Sequence, residues 1–97
     1  MIARINLDLL EVPRTNLGYY SEYMAGQDAA TRSQAVDKLY RIASEDKANY
    51  VRLGAFQGLF AFIDQQGVEE KLKELGRTET DELIRKYQQF FLQNLED

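Results

Sequence analysis

Cysteine and histidine are both absent from this sequence. Without thiols there is no disulfide staple and no cysteine nucleophile, and the redox compartment is left open. Without imidazole there is no side chain that ordinarily titrates near neutral pH, and the two commonest zinc ligands are both gone. Tryptophan is missing too, and the single proline is Pro13. Long apolar runs are lacking: the longest, Leu53 to Ile63, is about half of what spans a bilayer, so no transmembrane segment is expected. The start, Met1 to Asp8, has neither the basic region nor the unbroken apolar core of a signal peptide. Localisation is therefore open, and an exported protein would carry its signal outside this chain.

An excess of positive charge is also missing. Twelve Lys and Arg stand against sixteen Asp and Glu, a net charge of −4, and the basic residues are scattered. That argues against a nucleic-acid partner. What remains is a chain of 97 residues, 44% of them apolar, which is enough for a single core in one domain.

The stretch best able to organise that core runs from Tyr50 to Ile63. Val51, Ala55, Leu59 and Phe62 recur at helical spacing, and Leu53, Phe56, Phe60 and Ile63 form a second set, so this helix must be sandwiched. Gly54, Ala55 and Gly58 form a small-residue patch within it. Each glycine costs up to about 1 kcal/mol against alanine in a helix, which predicts close contact with another backbone or a bulky ring.

Ile2 to Val12 fits both a helical spacing and, over Ile5, Leu7 and Leu9, a strand alternation. With no other strand to pair with, we read it as a helix stopped by Pro13. Asn16 then caps a short helix, Leu17 to Ala25, closed by Gly26. Its tyrosines Tyr19, Tyr20 and Tyr23 read as rim residues with buried rings and wet hydroxyls rather than as a stacking platform. Asp28 caps a helix to about Ser44 with Ala35, Val36, Leu39, Ile42 and Ala43 inward and Arg32, Asp37, Lys38 and Arg41 outward. The short polar break from Glu45 to Asn49 makes it an antiparallel neighbour of the central helix, with Asn49 as that helix's cap.

Gln65-Gln66-Gly67 ends the central helix. A short helix follows from Val68 to Leu75, with Val68, Leu72 and Leu75 inward and Gly76 as its stop. Thr78 with Asp81, or Thr80 alone, caps a last helix to about Leu95. Its stripe is Leu83, Ile84, Tyr87, Phe90, Phe91 and Leu95, and Asp81 with Arg85 and Glu82 with Lys86 are spaced as pairs worth tenths of a kcal/mol.

Only carboxylates offer raw material for catalysis, at Glu45-Asp46, Glu69-Glu70 and Asp81-Glu82. Adjacent helical residues point about 100° apart, and acids at helix starts are explained by the dipole and by capping. Ser33 and Ser44 have no histidine partner, and no glycine-rich phosphate loop is present. We assign no catalytic, cofactor-binding or metal residue.

Asp46, with Val51-Arg52, Ala55 and Leu59 after it, resembles the second-helix pattern of HEAT repeats, residues 28–44 being the first helix. Repeats bury their faces on neighbours, and at least about three are needed for stability. One good unit and a divergent pair suggest the capping end of something longer. The run Tyr50 to Leu59 with the tail Glu79 to Tyr87 further resembles the C-terminal helical region of bacterial zinc aminopeptidases of the aminopeptidase N family. That family binds zinc with His-Glu-x-x-His and a downstream glutamate and grips the substrate amino terminus with Gly-x-Met-Glu-Asn. Neither motif is here, so no catalytic residue carries over, and zinc is expected only in the parent enzyme. The resemblance implies a domain that packs beside the catalytic domain and helps wall off the substrate cavity.

The sequence thus predicts an all-α domain of four or five helices in antiparallel HEAT/armadillo-like hairpins, with Leu39, Ile42, Leu59, Phe60, Leu83, Tyr87 and Phe91 in the core. Its expected role is a non-catalytic scaffold, a fragment of a zinc metallopeptidase. The alternative is a free-standing interaction module with a groove for a partner peptide or helix and the tyrosine cluster on its rim. Exposed apolar surface near Ile2 to Val12 would promote self-association.

Overall fold

A computed structural model describes residues 17–95. The expected helix from Ile2 to Val12, its stop at Pro13, the Asn16 cap and the associated apolar surface lie outside the described residues. Among those described, the fold is all-α: α1 (Leu17–Ala25), α2 (Ala29–Glu45), α3 (Asn49–Leu59), a 3₁₀ turn (Phe60–Phe62), α4 (Val68–Thr78) and α5 (Glu82–Leu95), with no strand.

Local chemistry sets these limits. Asp28 begins α2 as expected, its carboxylate accepting the Thr31 amide at 2.9 Å. Asp46 then turns the chain by accepting the Ala48 amide at 2.9 Å. Because that turn delivers the chain directly into α3, Ala48 occupies the cap position without a side-chain bond, and Asn49 is already helical. Asn49 is thus not the cap; its amide donates instead to Asp81 Oδ2 at 3.1 Å. The central helix tightens after Leu59 into the 3₁₀ turn, a common helix ending, which carries Phe62 into the core. Gly67, at φ 88°, supplies the left-handed residue that starts α4.

Two boundaries differ from the sequence reading. Gly76 does not stop α4, which runs on to Thr78; the glycine is buried under Leu92 of α5, where a Cβ would come within 2.7 Å of Leu92 Cδ1. Neither Thr78 nor Thr80 caps α5. Thr78 is still in α4, and Asp81 is the cap, accepting the Ile84 amide on Oδ1 at 3.0 Å while its carbonyl accepts from Arg85.

The contacts define two layers. Asp64, beyond the end of α3, pairs with Arg32 at the start of α2 at 2.8 Å, so α2 and α3 run antiparallel. Glu79, at the end of α4, meets Arg52 near the end of α2, so α4 runs the same way as α2. Asn49 meets Asp81 where α3 and α5 begin, and Phe91 packs on Phe56 and Phe60 farther along, so α3 and α5 are parallel. Leu17 lies over Gly54 and Ser21 over Gly58, which makes α1 parallel to α3 as well. Thus α1, α3 and α5 form one layer around the middle helix α3, and α2 and α4 form the other.

Leu39, Phe56, Leu59, Phe62, Val68 and Leu72 are fully buried between these layers. Ile42, Phe60 and Phe91 pack against them partly buried. Leu83 and Tyr87 are not core residues: both are exposed, because α5 turns Ile84, Gln88 and Phe91 inward and leaves the adjacent arc in water. The predicted small-residue patch does permit a close approach. A Cβ on Gly58 would collide with Ser21 Oγ, the hydroxyl that donates to Leu17 O at 2.8 Å inside the α1–α3 contact.

Candidate functional site

The three acidic pairs are dispersed. Glu45 is exposed beside Arg41 at 3.6 Å, while Asp46 holds the turn before α3. Glu69 and Glu70 are exposed in the first turn of α4, with Glu69 3.7 Å from Lys73. Asp81 caps α5 and Glu82 follows it into solvent. Among the described residues no group of three or more His, Cys, Asp or Glu could hold a metal ion. Nor do Asp81 with Arg85 or Glu82 with Lys86 form ion pairs there; Asp81 is already engaged by Ile84 and Asn49, which hold its carboxyl below the usual range.

The acidic side chain with a built environment is Glu79, which the pair-based reading passed over. Its side chain is buried at the joint between the two hairpins. Arg52 Nε donates to Oε1 at 3.0 Å and Nη2 to Oε2 at 2.9 Å, and the Thr80 and Asp81 amides both donate to Oε2. Burial pushes the carboxyl up, but the bonds from Arg52 and the two amides together outweigh it and hold Glu79 below the usual carboxylate range. Arg52 also donates to the carbonyls of Asp46 and Lys47, at 2.8 and 3.3 Å. A carboxylate with four donors is fixed in its ionised form, so this site ties α3 to the α4–α5 connection rather than moving protons. The sequence signal for it was Arg52 itself, a cation between Val51 and Ala55 on the inward side of the central helix.

The tyrosines separate. Tyr20 is buried, its hydroxyl without a partner among the described residues and its pKa raised by that burial. Tyr19 and Tyr23 are exposed, so their rings are not the buried rim expected of them.

Chemistry of another kind lies on the two outer faces. The outward arc of α2 and α4 carries Asp37, Arg41, Glu45, Glu69, Glu70 and Arg77, all exposed. On α1, α3 and α5 the exposed charged residues are Glu22 on α1 and Glu82, Arg85 and Lys86 on α5, and large exposed apolar side chains stand among them. On α3, Gly54 and Gly58 meet α1 and the buried Val51, Ala55 and Leu59 meet the core, which leaves Tyr50 and Gln57, with Ala61 of the 3₁₀ turn, facing out. On α5 the outward arc presents Leu83, Tyr87 and Phe90. Tyr50 is 69% exposed, Leu83 59%, Tyr87 48% and Phe90 61%, and three of these sit on α5 at helical spacing as a ridge. On the other flank of α3, Gly18, Ser21, Glu22 and Ala25 of α1 face Tyr50, Gly54, Gln57 and Ala61 across an open groove of about 530 Å³. Glu22 is the one charged residue lining it. Large side chains on one flank and small ones on the other give this face relief; the groove, with one charged residue, is cheap to dry, whereas Phe90 on the ridge is bordered by Glu82, Arg85 and Lys86. No helix among the described residues is long and apolar enough to cross a membrane.

No family model, curated protein or solved structure matches this chain.

Proposed function

We propose that this chain is a non-catalytic helical packing module whose face made by α1, α3 and α5 is covered by another protein surface. The observation that supports this is the group of large apolar side chains left in water on that face, Tyr50, Leu83, Tyr87 and Phe90. Exposed apolar surface of that kind is a docking feature in soluble proteins.

The occupant we favour is a folded part of the same polypeptide, the catalytic part of a zinc aminopeptidase. The two stretches that carry the resemblance, Tyr50 to Leu59 and Glu79 to Tyr87, are joined here by the Arg52–Glu79 pair and flanked by the Asn49–Asp81 bond. The successive hairpins α2–α3 and α4–α5 run in the same sense, which suits a HEAT-like stack. In this role the module helps wall the substrate cavity; zinc and peptide hydrolysis belong to the catalytic part, and no residue of this chain takes part in either.

A second reading is a free-standing module whose α1–α3 groove takes a partner helix or peptide. The groove's lining of Gly18, Gly54, Gly58 and Ala61 favours it, since small side chains let a partner backbone approach.

Immunoblotting of source-cell lysate with an antibody to this chain separates the two. A band several times heavier than 11.2 kDa that co-purifies with zinc and peptide hydrolysis supports the scaffold. A band at 11.2 kDa overturns it and leaves the free-standing module.

A further inference from the structure

We infer that in the isolated 97-residue chain the face of α1, α3 and α5 closes on a second copy of itself, the α5 ridge of each copy seated in the α1–α3 groove of the other. The inference rests on the packing-module reading and names one occupant for its face.

Charge is sparse along the groove. Two copies of a chain with net charge −4 repel one another, so their contact must rest on apolar surface, and the outer surface of α2 and α4 presents charges of both signs instead. The groove between α1 and α3 is lined by one charged residue, Glu22, at its rim, where the Tyr87 hydroxyl of the opposing copy can donate to it, while Glu82, Arg85 and Lys86 border Phe90 on the ridge side.

Shape adds the symmetry. The ridge of Leu83, Tyr87 and Phe90 and the groove over Gly18, Gly54 and Gly58 lie on opposite flanks of α3. A two-fold axis lying in the face and parallel to α3 carries each ridge over the other copy's groove in one operation. The contact is then isologous and closed, with no free apolar flank to propagate into a filament.

Area sets the strength. Tyr50, Leu83, Tyr87 and Phe90 together leave roughly 500 Å² in water, so pairing would bury about 1,000 Å² in total, the lower end for a specific interface. The expected dimer is reversible and in the micromolar range.

The test is sedimentation of the full chain from low micromolar to submillimolar concentration, with circular dichroism as the check on folding. The expected mass moves from 11.2 kDa toward twice that value. Tyr87→Glu places a carboxylate on the ridge. Gly18→Arg fills the groove from a position where a Cβ meets nothing within 4 Å, so the fold is undisturbed. Each variant alone weakens pairing at least about tenfold. Mixing the two restores it, because the introduced carboxylate and guanidinium then face one another across one ridge and groove while the other stays native.

A monomer throughout, a dimer insensitive to both variants, or a mixture that fails to re-pair each overturns the inference. Dye binding separates that failure from failure of the parent reading. A monomer that binds anilinonaphthalene sulfonate keeps the packing module with a different occupant. A monomer that binds none overturns both.

Discussion

Arg52 and Glu79 are 27 positions apart and face each other through two parallel hydrogen bonds, Nε to Oε1 at 3.0 Å and Nη2 to Oε2 at 2.9 Å. This fork joins the hairpin α2–α3 to the connection between α4 and α5. Removing one partner leaves the other buried without its counter-charge.

Glu79→Ala is therefore expected to destabilise the fold by roughly 2–4 kcal/mol, somewhat below the usual loss for a broken buried pair because Arg52 keeps some contact with water. The double variant Arg52→Met with Glu79→Leu, which removes both charges, should lose much less. Urea denaturation of Arg52→Met, Glu79→Leu and the double variant measures the difference; a double-variant loss equal to the sum of the two single losses would show that the pair itself contributes nothing.

Acid should weaken the same joint. Glu79 has a folded-state pKa below its ordinary value, as do Asp28, held down by Thr31, and Asp81, held down by Ile84 and Asn49. The folded state thus binds fewer protons than the unfolded one. Stability from these groups is complete above the ordinary carboxylate range, about 4, and is lost as pH falls through the lower folded-state values. Glu79→Gln, unable to titrate, should flatten that acid limb of the stability curve. A slope identical to that of the unaltered protein would rule Glu79 out as a contributor.

Two glycines should answer differently to the same substitution. Gly58→Ala pushes a methyl group into the buried Ser21 hydroxyl and against Leu39, so a loss of about 1–3 kcal/mol is expected despite the gain in helix propensity. At Gly76 the obstacle is the end of the partly exposed Leu92 side chain, which can turn away. Gly76→Ala should be within about 1 kcal/mol of neutral. Thermal unfolding of the two variants gives the comparison directly.

Gln88 is 1% exposed on the inward arc of α5, and its Oε1 has no hydrogen-bond partner among the described residues. An orphaned buried acceptor costs about 1–3 kcal/mol, so Gln88→Met, similar in length and without polar atoms, should raise the denaturation midpoint. A fall would show that the amide has a partner in solution.

The helices that announced themselves were those with local punctuation. Gly26 and Asp28 bracket the turn between α1 and α2, and apolar spacing alone placed Ala35, Val36, Leu39 and Ala43 inward. Gly76 misled because a glycine reads as a helix stop until Leu92, sixteen positions on, is known to lie over it. On α5 the apolar residues span an arc wider than one contact, so spacing could not distinguish the inward Ile84 and Phe91 from the exposed Leu83, Tyr87 and Phe90. Gln88 took a core position that the apolar pattern would have given to a hydrophobe. The Arg52–Glu79 joint was invisible for a different reason. Its partners belong to separate helical turns, and nothing local to either residue names the other.

The side-chain links between distant positions share one scale. Arg32 reaches Asp64, Gln65 reaches Ser33 and Asn49 reaches Asp81, each across 32 positions, and Arg52 reaches Glu79 across 27. These links all close a loop of about one hairpin, and α1 and α5 both rest on α3. Such a chain assembles by successive short closures, which places its folding in the microsecond-to-millisecond regime of low-contact-order helical proteins. It also makes α3 the element whose loss separates the two flanks, so unfolding that begins in the middle runs outward in both directions.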